Sequence, residues 1–166
     1  MEDVAAGSGS VIHEDEVLAH ETDQGSFGSR RRLLGMATGA QKLGCSLYEI
    51  PPGRRSFPYH WHAANEEAIY VLEGEGMLRL GGREVAIRKG TYATLRAGEE
   101  GAHQVLNTST RTLKYLCFST MIEPEIAFYP DSDKLSLFVG GPPGSLAATV
   151  TTIPTKAEVD YWQGED

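Results

Sequence analysis

The sequence predicts an all-β protein, a barrel or sandwich of short strands. Three observations predict it. Glycine (19) and proline (8) are abundant in a chain of 166 residues, which supplies the turns that many short strands need. Short apolar runs follow one another closely from residue 43 to residue 120. No long amphipathic helical pattern lies between them, which sets the chain apart from a βαβ architecture.

The elements follow in chain order. Residues 1–10, MEDVAAGSGS, are small and polar and read as a disordered tail. Residues 11–166 suit one domain with a single core. From Val11 to Ala40 the pattern is mixed and assigns no element. The run LGCSLYEI (43–50) reads as a strand that stops at Pro51-Pro52-Gly53. EAIYVLEG (67–74) is a strand rich in Ile, Tyr and Val. EGMLRLGGREVAIRKG (75–90) reads as a hairpin with Gly81-Gly82 as its two-residue turn. TYATLRAG (91–98), HQVLNTS (103–109) and RTLKYLCFST (111–120) are further strands, the last apolar enough to sit centrally in a sheet. PEIAFYPDSDK reads as an ordered loop crossing the surface, LSLFVGG as one more strand, and Thr155 with Glu158 as a capping box opening a short terminal helix.

Composition and charge exclude several function classes. The net charge of −8 opposes binding to a phosphate backbone, which needs clustered Lys and Arg, so no nucleic-acid partner is expected. The basic cluster Arg30-Arg31-Arg32 reads as a solvated surface feature. Cys45 and Cys117 each lie in an apolar run and read as buried free thiols; no C-x-x-C pattern is present. The acidic N-terminus lacks the apolar stretch of a secretory signal, and no run reaches the roughly 18 residues of a membrane span. A cytoplasmic protein without a membrane partner is the expectation.

The chemistry concentrates at His60-Trp61-His62. Two residues apart on a helix lie about 200° apart around its axis and cannot share a metal. On an extended chain they face the same side. H-x-H is therefore a strand-type metal clamp or no clamp at all. Two acids follow, Glu66 and Glu67, and alternation does not choose between them, because both faces of the following strand are apolar. His103 opens a later strand after a glycine-containing turn, with Val105 and Asn107 on its face. Asn107 reads as a turn or ladder residue.

These segments resemble the two signature motifs of the cupin superfamily. The first is carried here by Gly53, His60-Trp61-His62, Glu67 and Gly74, and the second by Gly90, Gly98, His103 and Asn107. The resemblance covers about residues 41–120. Gly53 stands one residue further from His60 than in the family pattern, Arg96 replaces its proline, and two extra residues precede His103. The resemblance implies a double-stranded β-helix, a jelly-roll-like barrel with N- and C-terminal extensions, the latter spanning 121–166. It implies a metal site of His60, His62, Glu67 and His103, and selects Glu67 over Glu66. The cofactor implied is one divalent transition ion: Zn, Fe, Mn, Ni or Cu. Such an ion serves as Lewis acid and template.

The activity implied is that of a metal-dependent enzyme on a small oxygen-rich substrate such as a sugar phosphate, isomerase-like. The alternatives are a metal-dependent dioxygenase and a non-catalytic, metal-assisted receptor for a sugar or other small molecule. Glu66 and Tyr59 are the candidate catalytic residues. Arg55, Tyr48, Tyr59 and Phe118 are candidates for substrate binding, with Arg54 beside Arg55 at the rim. Phe57, Trp61, Met77 and Tyr92 are further candidates for lining the barrel. A homodimer is the implied assembly.

Overall fold

The computed structural model describes residues 10–141, 148–156 and 159–165. Thirteen strands are present among them: β1 Ala19–Gln24, β2 Phe27–Arg32, β3 Gly44–Ile50, β4 Trp61–His62, β5 Glu67–Glu73, β6 Glu75–Leu80, β7 Arg83–Arg88, β8 Tyr92–Leu95, β9 His103–Leu106, β10 Leu113–Ser119, β11 Glu125–Tyr129, β12 Lys134–Val139 and β13 Thr149–Pro154. Six strands form one sheet in the order β1-β2-β3-β10-β5-β8. Four form a second, β13-β12-β11-β4, and three a third, β7-β6-β9. Every strand pairing is antiparallel. The architecture is the all-β double-stranded β-helix.

The core follows from alternation. On β5, Ile69 and Val71 are buried while Tyr70 between them is exposed. Tyr48 and Ile50 of β3, Leu113 and Tyr115 of β10, Leu78 of β6, Ile87 of β7, Leu95 of β8 and Val105 of β9 join them in one buried cluster. Burying an aliphatic or aromatic side chain of this size contributes about 1.5–3 kcal/mol. β10 sits centrally, paired with β3 on one side and β5 on the other. The β6–β7 hairpin closes through Gly81-Gly82, with Leu80 opposite Arg83. Both glycines take positive φ, 54° and 78°, the backbone that a two-residue turn between right-twisted strands requires.

Two expectations change. The segment read as a surface loop contains β11, which pairs with β12 and with β4. Its run Glu125-Ile126-Ala127-Phe128-Tyr129 alternates, with Glu125 and Ala127 buried; the flanking prolines and aspartates disguise the strand. The unassigned stretch 11–40 holds β1, β2 and a single helical turn, Leu34–Ala37. The expected disordered tail falls outside the described residues, apart from Ser10. So does Glu158 of the expected capping box; Thr155 and Lys156 form a turn. Both cysteines are free and partly buried. Among the described residues no helix is long and apolar enough to cross a membrane.

Candidate metal centre

Backbone pairing assembles the site. The His60 N–H donates to the His103 carbonyl at 3.1 Å, and the His103 N–H returns to the His60 carbonyl at 2.8 Å. This bridge sets the two rings side by side, with centroids 4.5 Å apart. β4 carries His62 inward opposite Ala127 of β11. On β5, Glu67 shares the inward parity of Ile69 and Val71 and lines the same cavity. Glu66 has the opposite parity and is exposed, with its backbone tied to Thr120.

His60, His62 and Glu67 each present one ligand atom, all within 4.8 Å of one another. His103 joins them through the carboxylate: its Nε2 lies 3.2 Å from Glu67 Oε2. His62 Nε2 lies 3.6 Å from the same oxygen.

The outer nitrogens decide what the inner ones can be. His60 Nδ1 donates to the Pro58 carbonyl at 2.8 Å, and His103 Nδ1 to the Gly101 carbonyl at 2.9 Å. A carbonyl oxygen only accepts, so the proton of each neutral ring sits on Nδ1 and Nε2 carries a lone pair. His62 Nδ1 has no hydrogen-bond partner, but it faces the buried Glu125 carboxylate at 3.7 Å. His60, His62 and Glu67 thus converge with His103 beside them, a cluster that could hold a cation. Burial disfavours charge on His60, with the neighbouring imidazoles adding to the effect, and holds its pKa down to about 3. Burial lowers that of His62 also. Burial alone raises a carboxyl, but the imidazoles of His103, His62 and His60 around it outweigh that and hold Glu67 down at about 2. Burial thus favours the neutral His60 and His62, and the surrounding imidazoles the ionised Glu67, that a metal needs. The donor set fits a divalent transition ion of the nitrogen-binding class.

Glu125 was not legible in the sequence. It is only 1% exposed. Its carboxylate accepts from the backbone of Ala64 (3.1 Å), Asn65 (2.8 Å) and Ile126 (2.7 Å), and from the Asn65 side chain. Asn65 in turn receives the Ile122 N–H at 2.6 Å. This buried node stands directly behind His62.

A cavity of about 260 Å³ adjoins the cluster. Its walls are largely apolar and aromatic, with Tyr48 stacked on Tyr115 at 5.1 Å and meeting Phe57 edge-on at 5.6 Å. Of the residues put forward as lining, Tyr48 and Phe57 are there; Arg55, Tyr59, Trp61, Met77, Tyr92 and Phe118 are not. Tyr59 is buried elsewhere, its hydroxyl accepting the Gly82 N–H and its ring 3.6 Å beneath the Arg79 guanidinium. Phe118 has the opposite parity to the cavity-lining Cys117. Trp61 stacks on Phe128 at 4.0 Å on the far side of its sheet, and Tyr92 is 63% exposed. Arg55 is exposed, while Arg54 binds Asp23 at 2.7 Å. Asn107 is a turn residue: its amide donates to the carbonyls of Ile50 and Arg111, both at 2.7 Å.

The family model for the cupin domain matches residues 46–119. An oxalate-binding protein of Thermotoga maritima is 34% identical over 115 residues, covering 66% of this chain and 93% of that protein. A crystal structure from Acidithiobacillus ferrooxidans, of a protein proposed to be a sugar phosphate isomerase, superposes with a TM-score of 0.77 at 23% identity, covering 91% of this chain and 96% of the other. A sugar phosphate isomerase of the cupin superfamily from Silicibacter pomeroyi gives 0.73 at 23% identity, with 85% and 91% covered. At such identity these two structures speak for the fold alone. Sequence match, barrel topology and the pairing that sets His60 against His103 agree, and the chain belongs to the cupin superfamily.

Proposed function

We propose that this protein is a metal-dependent enzyme acting on a small oxygen-rich substrate, with isomerase-like chemistry on a sugar phosphate as its finer form. One observation carries the reading: His60, His62 and Glu67 bring one ligand atom each to within 4.8 Å of one another, and His103 Nε2 lies 3.2 Å from Glu67 Oε2. His60, His62, Glu67 and His103 would hold one divalent transition ion. Bound there, the ion supplies Lewis-acid polarisation of a chelating substrate oxygen. The apolar walls exclude water and strengthen electrostatic effects inside the cavity. The structures from A. ferrooxidans and S. pomeroyi share this architecture, and their names suggest the isomerase form that the exchange experiment below tests.

A second reading is favoured by the same cavity. Glu66 and Tyr59, the expected acid–base residues, do not line it. Among the described residues Glu67 is the only carboxylate that does. Burial holds Tyr48, Tyr115 and Cys117 protonated by raising their pKa values. A metal-assisted receptor without turnover, or oxygen chemistry at ferrous iron, needs no such base.

Metal content of protein purified without chelator, followed by solvent deuterium exchange into hexose and pentose phosphates, tests the proposal. Metal at one equivalent with exchange supports the isomerase. Metal with binding but no exchange supports the receptor, and oxygen uptake with added ferrous iron supports the dioxygenase. Protein that takes up no metal at all overturns the reading. We propose further that residues 11–166 form one domain and that the chain pairs as a homodimer, which light scattering at micromolar concentration checks.

A further inference from the structure

β2 alternates three arginines, and only the middle one turns inward. Arg30 and Arg32 both pair with Glu49, at 3.3 and 2.5 Å. Arg31 lines the cavity, so the expectation that the whole cluster is a solvated surface feature fails for it: period-two alternation splits the cluster between two faces. Its Nε and Nη2 both donate to Ser46 Oγ, at 3.2 and 3.1 Å. Its guanidinium carbon lies 5.4 Å from the centroid of the Tyr48 ring. Among the described residues no carboxylate comes within 4.0 Å of it. A guanidinium offers five N–H donors, and one neutral hydroxyl oxygen engages two of them. A half-buried positive charge without a counter-charge beside apolar walls costs free energy.

A second group on the same wall also lacks a partner. Ser119 lines the cavity, and its buried Oγ has no hydrogen bond among the described residues. Strand register ties the two together. Arg31 sits opposite Tyr48, Ser46 opposite Cys117, and Ser119 opposite both Gly44 and Glu67. A polar row therefore crosses an otherwise apolar face from Arg31 on β2 through Ser46 on β3 and Ser119 on β10 to Glu67 on β5.

We infer that this row recognises an anionic substrate, with Arg31 anchoring a terminal carboxylate or phosphate, Ser119 holding an oxygen midway, and the chelating oxygens reaching the histidine cluster. One strand separates Ser46 from Glu67, a lateral distance of about 10 Å, which a short acid or a small phosphorylated molecule spans. A planar guanidinium binds either anion through two parallel N–H groups. This inference rests on the cluster being a metal centre and names the class of ligand that centre takes.

Calorimetry on the metal-loaded chain tests it, with malate as the carboxylate probe, ribose 5-phosphate as the phosphate probe and acetohydroxamate as a neutral chelator. Arg31→Met is expected to weaken malate, ribose 5-phosphate or both at least tenfold, while acetohydroxamate affinity and metal uptake stay within twofold of wild type. Arg31→Lys, which keeps the charge but not the planar fork, is expected to fall between, and its unchanged melting temperature separates lost recognition from lost folding. Whichever anion loses more identifies the head group. If both probes bind Arg31→Met as tightly as wild type, or the neutral chelator weakens equally, the inference is overturned. Failure of wild type to take up metal counts against the metal centre alone. Arg31 is then judged by succinate and inorganic phosphate binding to the metal-free protein, with the same tenfold criterion.

Discussion

At the residue scale the candidate site is a problem in proton placement. Two of the imidazoles have one nitrogen assigned by a backbone carbonyl, and in a neutral ring that assignment leaves the other as a lone pair. Pro58 and Gly101 supply backbone carbonyls for two rings; Glu125 supplies a carboxylate for the third. Glu67 faces all three as the negative ligand. Glu67→Gln keeps the shape and removes the charge. It is expected to lower transition-metal affinity at least about 100-fold, read by competition with a chromophoric chelator. Glu125→Gln leaves every atom facing the cavity untouched. Because the Glu125 carboxylate 3.7 Å from His62 makes that ring more basic, the same titration is expected to show a drop of about 10- to 100-fold. If Glu125→Gln binds metal like wild type, Glu125 is only a structural anchor for Asn65 and the β11 backbone.

At the element scale, the site depends on the turn that carries β9 into register. Gly101 ends the helical turn Glu99–Gly101 just before β9, and its carbonyl receives His103 Nδ1. A Cβ at Gly101 would collide with the backbone of Arg96. Gly101→Ala is therefore expected to push this turn outward and destabilise the fold by about 1–3 kcal/mol, measured by urea unfolding, with weaker metal binding as His103 follows the turn. How much of this was legible depended on whether a local rule governed it. H-x-H read as a strand clamp because period-two alternation leaves no other way for two such histidines to share a ligand. The Gly81-Gly82 hairpin read correctly because positive φ at both turn positions favours glycine. β11 did not, because Pro124, Pro130 and Asp131 mark the run as loop, while its alternation of Glu125, Ala127 and Tyr129 is only five residues long. With β11 unread, Glu125 had no reason to be placed behind His62. Arg31 was hidden by its neighbours: three arginines in a row look like one surface patch until the strand alternates them. Glu66 and Glu67 could not be separated by periodicity, since Ala68, Tyr70 and Leu72 are as apolar as Ile69 and Val71; only the barrel interior, absent from the local pattern, distinguishes the two faces.

At the scale of the whole molecule, the cluster links stability to pH and to metal. His60 stays neutral in the folded chain down to about pH 3, whereas an unfolded histidine takes its proton near 6.5. Between those values the unfolded state binds more protons, so folded stability falls as pH drops from about 6.5 toward 3. Glu67 acts in the same direction over a lower range: its folded carboxyl is held at about 2, so the stability it contributes is present above the unfolded value near 4.3 and is lost as pH falls through 2. The metal-free protein is therefore expected to show urea midpoints that decline steadily from pH 7 to pH 4, by up to about 1.4 kcal/mol per pH unit from His60 alone. A metal ion binds the deprotonated set, so protons compete with it. At a free concentration 100 times its dissociation constant it is expected to stabilise the fold by about 2.7 kcal/mol, and that increment should shrink only where protons reach the folded ligands, toward pH 3 for His60. His60→Asn removes the titrating ring and should flatten the metal-free profile between pH 6.5 and pH 5. A flat wild-type profile over that range would mean that the histidine accepts its proton in the folded state, and the account of a neutral His60 ready to hold a shared cation would fail with it.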